Sequence, residues 1–90
     1  MIGLGKNLKS DIIEADKLLD FVLEKYGYSG SLGEKLKKAE RLFTDKNGVW
    51  VAHKMRNKLA HEINYRPSEF EFRLALENFR KALLDLKIKL

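Results

Sequence analysis

The sequence predicts an all-α fold, an antiparallel bundle of four helices with its most distinctive segment on the third. Three observations point there. Apolar residues recur at three- and four-residue steps in four separate segments, the pattern of amphipathic helices. No stretch of useful length alternates with period two, so no strand is expected. Glycine, proline and helix-capping residues fall between the periodic segments. The connections they leave are about four to six residues long, short enough to make successive helices antiparallel neighbours.

The first helix is expected to begin near Ser10 or Asp11 and to run to about Tyr26, where Gly27 and Gly30 stop it. Leu8, Ile12, Ala15, Leu19, Val22, Leu23 and Tyr26 form its apolar stripe, with Ile13 and Phe21 outside it. Ser31-Leu32-Gly33-Glu34 is a capping box that opens the second helix, in which the Ser and Glu side chains satisfy free backbone N–H groups. This helix should bury Leu32, Leu36, Ala39, Leu42 and Phe43 and end at the turn Asp45-Lys46-Asn47-Gly48. The third is expected from about Val49 to Asn64, and Tyr65-Arg66-Pro67 breaks it because proline disfavours helical geometry in the residue before it. A second capping box, Ser68-Glu69-Phe70-Glu71, opens a fourth helix that runs to about Lys87. Its stripe is Phe72, Ala75, Leu76, Phe79, Ala82, Leu83 and Leu86, against which Met55, Leu59 and Ile63 of the third helix should be buried.

Length and composition narrow the function classes. Ninety residues make one domain, 1–90. With 44% hydrophobic and 34% charged residues and one proline, disorder and low complexity are excluded. No cysteine is present, which removes disulfide scaffolds, thiolate zinc sites and cysteine nucleophiles together. The longest apolar run, Val49 to Ala52, is far short of the roughly 18 residues that span a bilayer. Residues 1–6 are too short and broken for a signal peptide, and Gly3 and Gly5 make no phosphate loop. The expectation is a soluble cytoplasmic domain with no membrane partner. Up to Gly48 there are nine Lys/Arg against eight Asp/Glu, and from Val49 onward nine against five. The basic surplus therefore lies in the second half, where it suits an anionic partner such as RNA or merely a lysine-rich surface.

The third helix carries the chemistry. On a helical wheel, Ala52, Met55, Leu59 and Ile63 make a core stripe, while Lys54, Lys58 and Glu62 occupy a solvent-like arc. The third side groups His53, Arg56, Asn57, His61 and Asn64 around the small Ala60, with Trp50 joining them. Histidine titrates near neutral pH and is the default proton shuttle. Arginine offers a permanent charge in a planar fork that matches phosphate oxygens. Asparagine can orient either partner or contact a ligand. Such a set suits cleavage of a phosphodiester that carries its own nucleophile, namely RNA with its 2′-hydroxyl. One chain supplies few groups for this, so two copies facing each other are expected.

The run Met55-Arg56-Asn57-Lys58-Leu59-Ala60-His61-Glu62 resembles the signature of the HEPN superfamily: an arginine, a polar residue, and a histidine four to six residues after the arginine, on the third helix of a small bundle. The resemblance covers essentially the whole chain. It implies metal-independent RNA cleavage at a composite site where two motif helices meet across a homodimer. Carried over, His61 is the catalytic histidine, Arg56 stabilises the phosphate, and Asn57 orients them. His53 stands outside the signature. Many HEPN proteins act as toxins or in phage defence, often beside a nucleotidyltransferase, so an antitoxin or a nucleotidyltransferase protein joins RNA among the expected partners. Others in the superfamily only bind RNA, a nucleotide or a partner protein.

Around the motif, His53, Lys54, Lys58 and Asn64 are the expected RNA contacts. Blander readings exist for each group. His61 could bond a backbone carbonyl at the helix end, Arg56 could pair with a carboxylate of another helix, and Asn57 could fix helix register. His53 reads as a boundary or interface residue and Trp50 as core packing, with base stacking the less common use. No cofactor and no metal are expected, since His53 and His61 stand about 12 Å apart along a helix axis and no His-Glu-x-x-His pattern exists. Phe70, Leu74, Ile13 and Phe21 lie off the core stripes, where a symmetric dimer would cover some of them.

Overall fold

A computed structural model describes residues 7–88 of the chain. These form four α-helices: α1 (Leu8–Lys25), α2 (Leu32–Lys38), α3 (Lys46–His61) and α4 (Glu69–Asp85). A 3₁₀ turn at Glu40–Leu42 follows α2, and the described residues contain no strand. The readings of residues 1–6, as no leader and no phosphate loop, concern a segment outside those described.

Capping chemistry sets the helix ends. Asn7 starts α1 by accepting the Ser10 N–H at 3.0 Å, a turn earlier than Ser10 or Asp11 alone suggests. Its far end closes on Gly27, whose φ of +98° is open only to glycine at little cost. There the Gly27 N–H bonds Glu24 O and the Tyr28 N–H bonds Leu23 O, the pairing that satisfies the last carbonyls of a helix. Both capping boxes form as the sequence predicts, at Ser31/Glu34 and Ser68/Glu71.

Three boundaries differ from expectation. The second helix ends at Lys38, and Leu42 and Phe43 reach the core through the 3₁₀ turn rather than a continuous helix. Asp45-Lys46-Asn47-Gly48 is not a terminating turn: the Asp45 carboxylate accepts the Gly48 N–H at 2.9 Å, so these residues are the cap and first turn of α3. At the other end α3 stops at His61. Glu62 leaves the helical region (φ −111°, ψ 118°), because the chain must already turn back toward the start of α4 fixed by Ser68. Ile63, expected in the core, is consequently 91% exposed.

Most of the remaining core is as the periodicity predicts, although Tyr26 at the end of α1 is 48% exposed and Phe72 is only half-buried. Ile12, Ala15, Leu19, Val22 and Leu23 of α1 meet Ala75, Leu76, Phe79, Ala82 and Leu83 of α4, with Ala52, Met55 and Leu59 of α3 completing the cluster. The order of directions has a specific cause. At seven residues α2 is about 10 Å long, against about 27 Å for α1, so it cannot carry the chain back along the bundle. α3 therefore begins at the end where α1 stops and runs antiparallel to it, while α4 runs in the same sense as α1. The Tyr26 hydroxyl at the end of α1 accordingly donates to Leu86 O at the end of α4, at 2.6 Å. Asp85 there also accepts the Thr44 N–H (2.9 Å) just ahead of α3. This crossing of α1 and α3 places the middle of one against the middle of the other.

Candidate active site

Where α1 and α3 cross, Asp16 projects from the apolar side of α1 onto two side chains of α3. Its Oδ1 lies 3.1 Å from His53 Nδ1 and its Oδ2 lies 3.3 Å from Arg56 Nε. The Asp16 side chain is 8% exposed and that of His53 11%, so the pair sits at the edge of the core rather than on the surface. A buried carboxylate needs such partners, since an unpaired one would cost several kcal/mol on the order seen for desolvated ions. Acceptance by the carboxylate keeps a proton on Nδ1, so in the neutral ring Nε2 is the acceptor. Asn57, one turn on, brings its Nδ2 to 3.4 Å from that Nε2. Trp50 closes the other side of the imidazole, its ring edge-on at 6.0 Å between centroids.

Arg56 is held differently. Its Nε is within ion-pair distance of Asp16 but buried without the alignment of a hydrogen bond. The Arg56 side chain as a whole is 27% exposed and lies on the wall of a cleft of about 420 Å³. Asp16, His53, Arg56 and Asn57 form one wall of that cleft; Lys17, Ser31 and Gly33 are among the residues of the others. The cleft thus gathers a permanent cation, an imidazole oriented by a carboxylate and an amide, the donor and acceptor types that a phosphate and a hydroxyl require.

Of the sequence-predicted site residues, the structure brings together Arg56, Asn57 and His53. His53 points inward to Asp16 instead of lying on an exposed RNA-facing surface. His61 is exposed at the last position of α3, about 7.5 Å further along the axis than Arg56 and well around the helix from it, so the two do not meet within one chain. Lys54 and Lys58 lie on another side, lining a groove of about 280 Å³ between α3 and α4 with Val51, Met55, Tyr65 and Leu74. There the Lys58 ammonium sits 5.5 Å from the centre of the Tyr65 ring. Burial, together with Glu71 and Glu62, pushes the Tyr65 phenol above its ordinary value. Asn64 is exposed in the loop after α3. Trp50 is half-buried against the core, a packing position.

Sequence reasoning missed Asp16. The signal was there: it stands four residues after Ile12 and three before Leu19, a charged residue inside an apolar stripe. Lys35 carried the same kind of signal next to Leu36. Its ammonium is buried on α2 and donates to Asp20 at 2.7 Å and Glu24 at 3.2 Å, which fixes α2 against α1 beside the cleft. The Asp20 bond holds that ammonium above the usual lysine range against the opposing effect of burial. Among the described residues no group of three or more His, Asp and Glu is placed to hold a metal ion, and no helix is long and apolar enough to cross a membrane. Comparison with family models, with curated proteins and with solved structures finds no match to the chain.

Proposed function

We propose that the chain is a metal-independent endoribonuclease of HEPN type, with a composite site formed by two copies of α3 in a homodimer. The observation that carries this reading is Arg56: a guanidinium held by its Nε end against Asp16 on the wall of an open cleft, with Asn57 beside it. In that role Arg56 neutralises the charge that builds on a phosphate during transesterification, His61 moves a proton, and Asn57 orients the groups between them. Because Arg56 and His61 diverge on one helix, His61 of the partner subunit is the one that meets Arg56 across a two-fold axis. Lys54, Lys58 and Asn64 then serve as contacts for the flanking RNA. The cytoplasmic toxin or defence setting, and an antitoxin or nucleotidyltransferase partner, come from the resemblance of the Arg56-Asn57-x-x-x-His61 run alone.

A second reading draws on the same ion pair. With Arg56 engaged by its own Asp16, the cleft suits a non-catalytic module that binds RNA, a nucleotide or a partner protein. One assay separates the two. Purified protein and its His61→Ala form are incubated with single-stranded and structured RNA in EDTA, and the product ends are identified. The ribonuclease reading expects 2′,3′-cyclic phosphate (or its hydrolysis product) and 5′-hydroxyl ends, lost in His61→Ala, with DNA untouched. Cleavage abolished by EDTA, equal cleavage of DNA, or undiminished cleavage by His61→Ala overturns it; RNA binding without cleavage selects the module.

A further inference from the structure

Cleavage of RNA by its own 2′-hydroxyl needs two proton transfers, one off the 2′-oxygen and one onto the departing 5′-oxygen. The Arg-Asn-x-x-x-His run supplies one histidine per chain. We propose that His53, held by Asp16, is a second catalytic residue: the general base that takes the 2′-hydroxyl proton, with Asp16 as its positioning residue. This rests on the ribonuclease reading and extends it to a group outside the motif.

Several observations converge on His53. Asp16 occupies a core position on α1, among Ile12, Ala15 and Leu19, none of which has any exposed surface. An apolar residue there would fold the helix at lower cost, so burying a carboxylate calls for a reason beyond the core. The Asp16 carboxylate fixes the imidazole as the Nδ1–H tautomer at 3.1 Å, the arrangement that presents Nε2 as an acceptor. The contact of Nε2 with Asn57 is long, 3.4 Å, and a substrate hydroxyl at ordinary hydrogen-bond distance displaces it. Gly33 stands over the same edge of the ring. A methyl group there would sit in van der Waals contact with Nε2, at 3.9 Å; the bare glycine leaves that space to the cleft, which His53 and Gly33 both line. Trp50 packs edge-on against the imidazole and limits its rotation. Arg56 shares the Asp16 carboxylate and lines the same cleft as His53, so a phosphate it binds lies beside the imidazole.

The step balances as follows. Nε2 of His53 accepts the 2′-hydroxyl proton while the 2′-oxygen bonds to phosphorus. The P–O5′ bond breaks with its electron pair on the 5′-oxygen, which takes a proton from the imidazolium of His61. The products are a 2′,3′-cyclic phosphate and a 5′-hydroxyl, and both imidazoles then exchange back to their starting forms with water. His53 and His61 stand about 12 Å apart along α3, so the acid is His61 of the partner subunit.

The test uses two substrates in EDTA, an RNA and uridine 3′-(4-nitrophenyl phosphate), whose phenolate leaves without needing a proton. On RNA, His53→Ala and His61→Ala should each lose about a hundredfold or more in activity. On the nitrophenyl ester, His61→Ala should recover most of the wild-type rate and His53→Ala should recover none. Imidazole in the buffer should partly restore His53→Ala. Asp16→Asn should lower kcat about tenfold or more, with KM little changed, because the amide no longer enforces the tautomer. His53→Gln, which keeps a polar group at the edge of the core, serves in place of His53→Ala if that variant does not fold. RNA cleavage by a folded His53 variant within twofold of wild type, or recovery of that variant on the nitrophenyl ester, overturns the proposal while leaving the ribonuclease reading intact. A wild-type protein that cleaves neither substrate overturns both.

Discussion

Asp16 Oδ2 and Arg56 Nε face each other 3.3 Å apart between α1 and α3, while the other oxygen of the same carboxylate reaches His53. One acidic side chain therefore contacts both His53 and Arg56, two of the α3 residues that line the cleft. The arrangement is asymmetric: His53 is bonded and nearly buried, whereas the Arg56 side chain is 27% exposed.

That asymmetry sets the stability effects. Asp16→Ala strands a buried imidazole and a partly buried guanidinium, which should cost about 3 kcal/mol. Arg56→Ala leaves the Asp16–His53 bond in place and should cost about 1 kcal/mol. Urea denaturation of both single variants and the double variant gives the coupling between them, expected at about 1 kcal/mol. Coupling near zero would mean that Asp16 is placed for His53 alone.

The end of α3 makes a second prediction. Leu59 is in the core and Ile63 is in the loop, 91% exposed. Leu59→Ala should cost about 2–4 kcal/mol in denaturation. Ile63→Ser should stay within about 0.5 kcal/mol of wild type. An Ile63→Ser loss comparable to that of Leu59→Ala would place the helix end a turn later, as the apolar periodicity alone suggests.

Those two positions show what the sequence reveals and what it hides. The apolar stripe carries Leu59 and Ile63 with equal weight, because periodicity records which face a residue takes if the helix continues. It is blind to where the chain must leave the helix to meet the Ser68 cap. Capping boxes are local, which is why Ser31/Glu34 and Ser68/Glu71 are legible while the end of α2 at Lys38 is not. The polar face of α3 is legible for the same reason, as four of its residues lie within two turns. Asp16 is 37 residues from His53, and no local pattern connects them. Only the odd placement of a charge on an apolar stripe hints at a partner elsewhere.

Alkaline pH probes Lys35 beside the cleft and Tyr65 in the groove between α3 and α4. Asp20 and Glu24 raise Lys35 above its ordinary 10.5, and burial raises Tyr65 above its ordinary 10.0. Both folded values lie above the unfolded ones, so each contribution is complete below the unfolded value and is lost as pH rises through the folded one. Melting temperature should therefore hold to about pH 10 and fall above it. Lys35→Met and Tyr65→Phe should each remove part of that fall. A profile equally steep in the double variant would assign alkaline unfolding to other groups.

Ala60 tests the assembly on which the composite site depends. It is exposed on α3, four residues after Arg56 and directly before His61, and its methyl group lets a second backbone come close. A bulky residue there points into solvent, about 100° around the helix from the core residue Leu59. Ala60→Trp should thus leave helical content and denaturation midpoint unchanged while weakening self-association by about tenfold or more, a cost of about 1.4 kcal/mol. Sedimentation of both proteins at tens of micromolar measures the association, and RNA cleavage should fall in step with the dimer fraction. If the wild-type chain sediments as a clean monomer yet still cleaves, Arg56 acts without a second copy of His61, and the two proton transfers must both be found within one chain. If Ala60→Trp dimerises as well as wild type, the two-fold axis lies elsewhere, and the exposed Phe70 and Leu74 of α4 become the next surface to substitute.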